Sequence, residues 1–362
     1  MQQRAGAPLD PRRSSPPGAV VGGGDDGGAF IRAFPCVSCG AKLSFAPGTS
    51  RLRCEFCGAE NAIAADDALV EELDLDEWLK SLEGRAETVE AEQVKCGKCG
   101  AEEVLQGSHF AAKCSFCGSA IVSKSYAGRR IEPRSIVPFQ LDARAAHDAF
   151  RDWLRWRWLA PTDLKRYART DASLAGVYLP FWTYDCETVS EYRGQRGTRR
   201  DKTTTWSSVS GRVEHFHDDV LVPASHSLPA SIAGALARWD TAALVPYKPE
   251  FVSGFHAEAY QLGLAESYPV ARGMIDSEIR RLIQRDIGGD AQRIDAVETR
   301  YGRFTFKHVL LPAWVSAYRY RDKVYRFVVN GQTGRTSGES PLSWWKVAGL
   351  VVLALVVLYN MR

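Results

Sequence analysis

The sequence predicts an α+β protein in which two tandem four-cysteine zinc ribbons precede an α+β domain and one C-terminal transmembrane helix. Three observations predict this class: a duplicated cysteine pattern, a middle region with both strand-like and helical periodicity, and an apolar run near the end. We place the boundaries at 1–30 for a disordered segment, 31–63 for the first ribbon, 64–94 for an acidic helical linker, 95–125 for the second ribbon, 126–338 for the α+β domain and 342–361 for the transmembrane helix.

The composition indicates a chain that folds mostly around ordinary cores. Its 362 residues are 45% hydrophobic and 25% charged, and the net charge of +3 is too small to indicate a partner. Residues 1–30 contain seven glycines and four prolines, and no secretory signal opens the chain. We therefore expect a disordered beginning and cysteines that bind metal rather than form disulfides.

Eight of the nine cysteines form two quartets with the same spacing. In each quartet fourteen residues separate two C-x-x-C pairs, and the second quartet repeats the first at an offset of sixty residues. The flanking residues repeat as well: Cys39-Gly40-Ala41 recurs as Cys99-Gly100-Ala101, and Phe56-Cys57-Gly58 recurs as Phe116-Cys117-Gly118. The predicted ligands are Cys36, Cys39, Cys54 and Cys57 in the first ribbon and Cys96, Cys99, Cys114 and Cys117 in the second.

This spacing suits a structural metal site. Two cysteines on a tight turn can direct both sulfurs to one ion, and the glycine that follows tolerates a positive φ. Four thiolates complete the tetrahedral coordination of Zn²⁺ and leave no position for a catalytic water. We expect two structural Zn²⁺ ions, with rubredoxin-like iron as the alternative. The ninth cysteine, Cys186, is interpreted as a small residue of a half-buried strand rather than a nucleophile.

The acidic linker contains a short predicted helix. Asp74 provides an N-cap and Glu77 follows three residues later, which is the pattern of a capping box. Its apolar residues share one face: Leu75, Trp78, Leu79 and Leu82. We expect this face to dock on a ribbon, and a docking site for another protein is the alternative.

The α+β domain begins with a helix that Asp142 caps and that we expect to run to Leu159, before Pro161. The segment 151–158 interleaves arginines with tryptophans: Arg151, Trp153, Arg155, Trp156, Arg157 and Trp158. Such a segment can bind single-stranded nucleic acid or an anionic lipid surface. The alternative is a core helix whose arginines face solvent.

The rest of the domain alternates between predicted strands and helices. A Leu-Pro-x-Trp element occurs in strand-like surroundings at 179–182 and again at 311–314, which suggests an internally duplicated domain. We expect helices over Leu228–Trp239 and Leu264–Arg285, strands over Tyr301–Val329 and a turn at Asn330-Gly331. Inward positions of the longer helix are Met274, Ile275, Ile279, Leu282 and Ile283.

The domain shows no phosphate-binding loop, nucleophile elbow or H-E-x-x-H motif, so we expect no catalytic site. His215 and His217 would share one face of a strand beside Asp218 and Asp219. We interpret them as a polar strand face, with a metal site as the alternative.

The run from Val347 to Leu358 is apolar without interruption. A helix over these residues is shorter than the hydrocarbon core, which is about 30 Å thick, but its flanks can complete the span. Trp344 and Trp345 suit the interface, and Lys346 can extend its amine to the headgroups. We expect a tail anchor in the cytoplasmic membrane with the bulk of the chain in the cytosol; a buried core segment is the alternative.

These motifs resemble bacterial TFIIB-type zinc-ribbon membrane proteins, which are often labelled "primosomal protein N′ (replication factor Y), superfamily II helicase". The residues that carry the resemblance are Phe34-Pro35-Cys36, Trp158 to Pro161, Tyr178 to Asp185, Asp286 to Asp290 and Val329 to Gly334. Because the chain has no phosphate-binding loop, the helicase activity in that label is not expected. A looser resemblance links it to zinc-ribbon proteins that accompany phage shock protein A homologues and toxic-anion resistance genes.

The function expected from these features is that of a membrane-anchored, non-enzymatic adaptor or scaffold, in envelope-stress or toxic-anion-resistance assemblies. Its expected partners are cytosolic or membrane-associated proteins and the lipid bilayer, with no small-molecule substrate. The alternative is a membrane-tethered nucleic-acid-binding protein of replication or transcription, and an enzyme with an unrecognised site is the third class.

Overall fold

A computed structural model describes residues 34–64, 70–82, 88–104, 113–119, 126–162, 174–236, 238–320 and 323–361. The predicted disordered segment 1–30 lies outside these ranges. The helices are α1 (Leu75–Leu82), α2 (Ala143–Arg155), α3 (Ala230–Leu236), α4 (Pro249–Val252), α5 (Leu264–Ile287) and α6 (Trp344–Asn360), with a 3₁₀ turn at Thr241–Ala243. The strands are β1 (Leu43–Phe45), β2 (Arg51–Cys54), β3 (Glu60–Ala62), β4 (Leu73–Asp74), β5 (Thr88–Lys95), β6 (Glu102–Val104), β7 (Tyr126–Ile131), β8 (Ser135–Ile136), β9 (Ala175–Arg200), β10 (Thr203–Pro223), β11 (Val245–Pro246), β12 (His256–Glu258), β13 (Ala291–Tyr320), β14 (Lys323–Asn330) and β15 (Thr336–Gly338).

The strands form two sheets, and the two cysteine quartets belong to different ones. Strands β1, β2 and β3 make a small antiparallel sheet beside the first quartet. The other twelve strands form one sheet around β9 and β13, which are 26 and 30 residues long and pair antiparallel over most of their length. Strand β6 of the second ribbon pairs with β12, so this ribbon is continuous with the α+β domain rather than a separate module.

The large sheet is arranged around an approximate two-fold axis between Leu179 and Leu311. These two residues begin the repeated Leu-Pro-x-Trp elements and face each other in the pairing of β9 with β13. At equivalent positions near the axis, β9 pairs in parallel with β12 and β13 pairs in parallel with β8. The two units β8-α2-β9-β10 and β12-α5-β13-β14 therefore exchange their first strands, since the first strand of each unit pairs with the other unit. This is the arrangement that an internally duplicated domain would give.

Helices α1 and α2 begin as their caps predict. The N–H of Glu77 donates to Asp74 Oδ1 at 2.8 Å, and the N–H of Ala145 donates to Asp142 Oδ1 at 2.8 Å. The expected docking of α1 on a ribbon is wrong, because the Trp78 ring packs 5.8 Å from that of Phe306 on β13. Helix α2 ends at Arg155 rather than Leu159, since the chain then enters a tight turn.

Helix α5 packs along the long strands with a stripe of buried residues: Leu264, Ser267, Ala271, Ile275, Ile279, Ile283 and Ile287. The expected inward position of Met274 is wrong, because its side chain is 43% exposed, and Leu282 is half-buried. Successive helical residues differ by about 100° in direction, so the neighbours of the buried isoleucines point sideways. The turn at 331–333 follows β14 as expected.

Helix α6 covers 17 residues, and none of them is buried. At a rise of about 1.5 Å per residue it is about 25 Å long, which is shorter than the hydrocarbon core of a bilayer, about 30 Å. Among the residues that the structure describes, no helix has both the length and the apolar character needed to cross a membrane. A helix is therefore present within the expected segment 342–361, but it covers only Trp344–Asn360, and the span expected there is not found.

Candidate metal centres

Four backbone turns of the same geometry present the eight predicted ligands. In each turn the N–H of a glycine donates to the carbonyl of the first cysteine of its pair, as Gly40 does to Cys36 at 2.8 Å and Gly100 to Cys96 at 2.9 Å. The glycines adopt φ values of 73° at Gly40, 74° at Gly58, 76° at Gly100 and 66° at Gly118. A Cβ at these positions would meet no atom within 4 Å, so the backbone conformation, and not space, favours glycine.

Each quartet brings its four sulfurs to the separation that a tetrahedral ion needs. The sulfurs of Cys36 and Cys57 lie 3.6 Å apart, as do those of Cys39 and Cys54, and all four lie within 4.8 Å of one another. The second quartet repeats these distances, with 3.6 Å between Cys99 and Cys114. Zinc–sulfur bonds of about 2.3 Å place tetrahedral ligands about 3.8 Å apart. The eight cysteines therefore form two sites that can hold two metal ions, compatible with Zn²⁺.

The thiols of one site perturb each other as expected for a site that needs a cation. The N–H groups of Ser38 and Cys39 lower the pKa of Cys36 to about 6. The N–H of Ala59 favours the thiolate of Cys57, but the three neighbouring sulfurs raise the pKa of Cys57 to about 12. Four thiolates cannot form at this distance without a positive ion between them, so metal binding and full ionisation of the quartet are coupled.

The second centre has a polar shell that ties it to the large sheet. The Cys117 Sγ lies 2.8 Å from the Ser119 Oγ. Ser115 donates to Glu103 through both its N–H and its hydroxyl, at 3.0 and 3.1 Å. Because Glu103 belongs to β6 and is 2% exposed, the second metal site is held by the strand that joins the ribbon to β12.

The repeat-related residues Phe56 and Phe116 have opposite environments. Phe116 is 0% exposed and packs in the core beside Cys114 and Cys117. Phe56 is 83% exposed at the tip of the corresponding turn of the first ribbon, and Val37 on the other turn is 85% exposed. The first ribbon thus presents an apolar tip to solvent where the second ribbon packs against the domain.

His215 and His217 share one face of β10, with their ring centroids 4.7 Å apart, and no group of possible metal ligands among the described residues includes either of them. The side chain of His217 is 4% exposed, and its Nε2 lies 3.0 Å from the Thr188 hydroxyl. The carboxylates that do meet are those of Asp185, Asp218 and Asp219, within 4.8 Å of one another. The ammonium of Lys307 already lies among them, 2.9 Å from Asp219 and 3.7 Å from Asp185.

This lysine-centred cluster was not apparent in the sequence, because its members lie on β9, β10 and β13 and before β4. Glu72 completes it, 3.1 Å from the Lys307 ammonium. Burial raises the pKa of Asp185 to about 7. Although burial opposes its charge, the contacts of Lys307 with Asp219 and Asp185 raise the pKa of this lysine. The cluster places a carboxyl that can change its charge near neutral pH inside the sheet.

A second buried acid, Glu258, also has no signal in the sequence. Its carboxyl accepts a hydrogen bond from the Ser225 hydroxyl, and burial raises the pKa of Glu258 to about 8. Glu258 lies between two small cavities of about 30 and 20 Å³, the latter also lined by Trp239. Cavities of this size hold one or two water molecules.

The remaining candidate residues divide between core and surface. Cys186 is 1% exposed on β9, and burial raises the pKa of its thiol to about 11, as expected for an inert core residue. In the segment 151–158, Trp156 is 85% exposed and Trp158 is 58% exposed, whereas Leu154 is buried. The helix thus contributes to the core through one face and presents tryptophan beyond its end.

The chain is similar to a protein of Bacillus subtilis (strain 168) described as "Uncharacterized protein YdjG". The two are 27% identical over 333 residues, which cover 88% of this chain and 92% of that protein. No family model matches the chain. No solved structure matches it either.

Proposed function

We propose that this chain is a non-enzymatic adaptor that holds two structural zinc ions and attaches to the cytoplasmic membrane through α6. The observation that carries the proposal is the exposure of α6, whose leucines and valines from Leu350 to Leu358 are between 38 and 62% exposed. A helix that is apolar on every side belongs in a core or in a lipid environment. The other described parts of the chain do not bury it.

The exposed tryptophans at the beginning of α6 support the proposal that a membrane surface lies there. Trp344 and Trp345 are 84 and 88% exposed, and tryptophan is enriched where a bilayer meets water. The apolar part beyond them, from Val347 to Leu358, is about 18 Å long. We propose that it inserts into the bilayer, either embedded within it or crossing it with local thinning.

Membrane fractionation of three forms tests this proposal. The intact chain should resist washing with alkaline carbonate, and a chain that ends after Pro341 should be released as folded, metal-loaded protein. Leu353→Arg should weaken insertion, because a charge at the centre of an inserted helix costs roughly 2.5–3.5 kcal/mol. Val270→Arg, at another exposed apolar helix position, is the matched control and should leave attachment unchanged.

Two outcomes would contradict membrane attachment. If carbonate washes the intact chain off membranes, α6 is not embedded in lipid. If the chain that ends after Pro341 aggregates, α6 covers apolar protein surface instead, and the adaptor loses its anchor.

The chemistry of the metal centres supports the proposed adaptor role. Four thiolates complete the coordination of each ion, so the metal supplies folding free energy rather than a reactive water. The apolar tip of the first ribbon, Val37 and Phe56, offers a contact surface for a protein partner. Partners in envelope-stress or toxic-anion-resistance assemblies remain the expectation that the resemblance provides.

A nucleic-acid-binding role is the second candidate, and one feature of the structure favours it. The far end of the β9–β10 hairpin is basic and aromatic: Arg193, Arg196, Arg199, Arg200, Lys202, Trp206 and the neighbouring Arg293. The Arg293 guanidinium lies 4.0 Å above the centre of the Trp206 ring. A DNA mobility shift that falls steeply with salt would favour this role over the adaptor, since phosphate contacts are salt-dependent.

A further inference from the structure

We propose that the end of α2 and the beginning of α6 together form a collar that binds the headgroup layer of an anionic phospholipid membrane. The collar consists of Arg155, Trp156, Arg157, Trp158, Trp344, Trp345 and Lys346. The proposal rests on the membrane role proposed for α6 and assigns a ligand to the Arg/Trp segment, which the sequence left open between lipid, nucleic acid and solvent.

The two parts of the collar are joined by hydrogen bonds, although they lie far apart in the sequence. The Lys346 ammonium donates to the carbonyls of Trp158 and Ala160 at 2.9 and 2.7 Å. The N–H of Ser343 donates to the Leu159 carbonyl at 2.8 Å. These bonds fix the start of the apolar helix against the turn that follows α2.

Four tryptophans are therefore exposed around one end of an apolar helix. Trp156 and Trp158 belong to the turn, and Trp344 and Trp345 belong to the first turn of α6. Exposed tryptophan in such numbers is costly in water but favoured at the headgroup level of a bilayer. The position of these tryptophans agrees with the headgroup level, because the beginning of α6 lies at the interface when the apolar part of the helix enters the lipid.

The basic side chains beside these rings favour an anionic surface. Arg157 lies with its guanidinium 4.6 Å above the Trp153 ring, and Arg155 makes a 3.5 Å ion pair with Asp152, in which both side chains are exposed. Exposed pairs of this kind are weak, so Arg155 can exchange its partner for a phosphate. Basic residues close to a membrane surface are attracted to its anionic headgroups.

Fluorine NMR of the full chain labelled with 5-fluorotryptophan tests the collar. The chain is placed in nanodiscs of phosphatidylcholine and phosphatidylglycerol that contain a lipid with a gadolinium-chelating headgroup. Signals of Trp156 and Trp158, assigned by single Trp→Phe substitutions, should broaden together with those of Trp344 and Trp345. Trp206 is the control and should stay sharp, because it lies near the far end of the β9–β10 hairpin, about 70 Å along the strand from the first residue of β9.

The outcomes separate the collar from the anchor. Broadening of Trp344 and Trp345 with sharp signals for Trp156 and Trp158 would refute the collar and leave the anchor intact. Failure of the chain to enter the nanodiscs would refute the anchor and with it the collar. Shifts of the Trp156 and Trp158 signals by single-stranded DNA but not by lipid would assign the segment to nucleic acid and overturn the proposal. Replacing Arg155 and Arg157 by Glu should reduce the broadening in discs with phosphatidylglycerol more than in discs of phosphatidylcholine alone.

Discussion

The pair Phe56 and Phe116 offers a controlled test of how the two ribbons differ. The residues are equivalent in the repeat, but Phe116 is 0% exposed and Phe56 is 83% exposed. Truncation of a buried phenylalanine to alanine costs about 3–5 kcal/mol, whereas truncation of an exposed side chain changes stability by about 0.5 kcal/mol or less. We therefore expect Phe116→Ala to destabilise the second ribbon and the β6–β12 pairing, and Phe56→Ala to leave folding unchanged.

The assay is release of metal to a competing chelator, followed with thermal unfolding of the same samples. In Phe116→Ala one of the two ions should be lost at a chelator concentration lower by a factor of about a hundred or more, since each 1.4 kcal/mol is a factor of ten. The other ion, in the first ribbon, should be released as in the unaltered chain. Equal effects of the two substitutions, or a larger effect of Phe56→Ala, would refute the reasoning.

Two further predictions concern the buried cluster and the ligands. Because burial raises the pKa of Asp185 to about 7 from an ordinary value of about 4, this group stabilises the fold below about pH 4, and that contribution is lost as pH rises to 7. Asp185→Asn should remove this loss. The unfolding temperature of the variant minus that of the unaltered chain should therefore be larger at pH 8 than at pH 5. A difference that does not change with pH would contradict this prediction. Cys54→Ser should empty the first centre and leave the large sheet folded, whereas Cys114→Ser should also loosen β6 and β12, as protection of their amides from hydrogen exchange would report; equal loss of protection in both variants would contradict the asymmetry.

The sequence predicted what depends on spacing and local chemistry. The interval between cysteine pairs is enough to place the four sulfurs of each quartet together, and the caps at Asp74 and Asp142 fixed the beginnings of their helices. A repeated cysteine pattern also predicted two similar ribbons. It could not predict that only the second one enters the large sheet, because that depends on the pairing of β6 with β12, whose paired residues Val104 and Ala257 are far apart in the chain.

The features that the sequence did not predict are formed by residues that are distant in the chain. Lys307 meets Glu72, Asp185 and Asp219 only because β13 lies between β4 and β9, so no local pattern marks the cluster. The contact of Lys346 with the turn after α2 likewise joins segments that are 186 and 188 residues apart. The docking of α1 was assigned to the wrong surface for the same reason, since an apolar stripe shows that a helix is covered but not by what.

The metal content of the full chain tests the central claim of two structural zinc ions most directly. Simultaneous elemental analysis of zinc, iron and sulfur in protein purified without added metal avoids any error in protein concentration. The chain contains nine cysteines and three methionines, so two zinc ions correspond to six sulfur atoms for each zinc. A ratio near six with negligible iron is the expected result. Stoichiometric iron, or a zinc content of about one ion per chain or less, would contradict the assignment of both quartets as zinc sites.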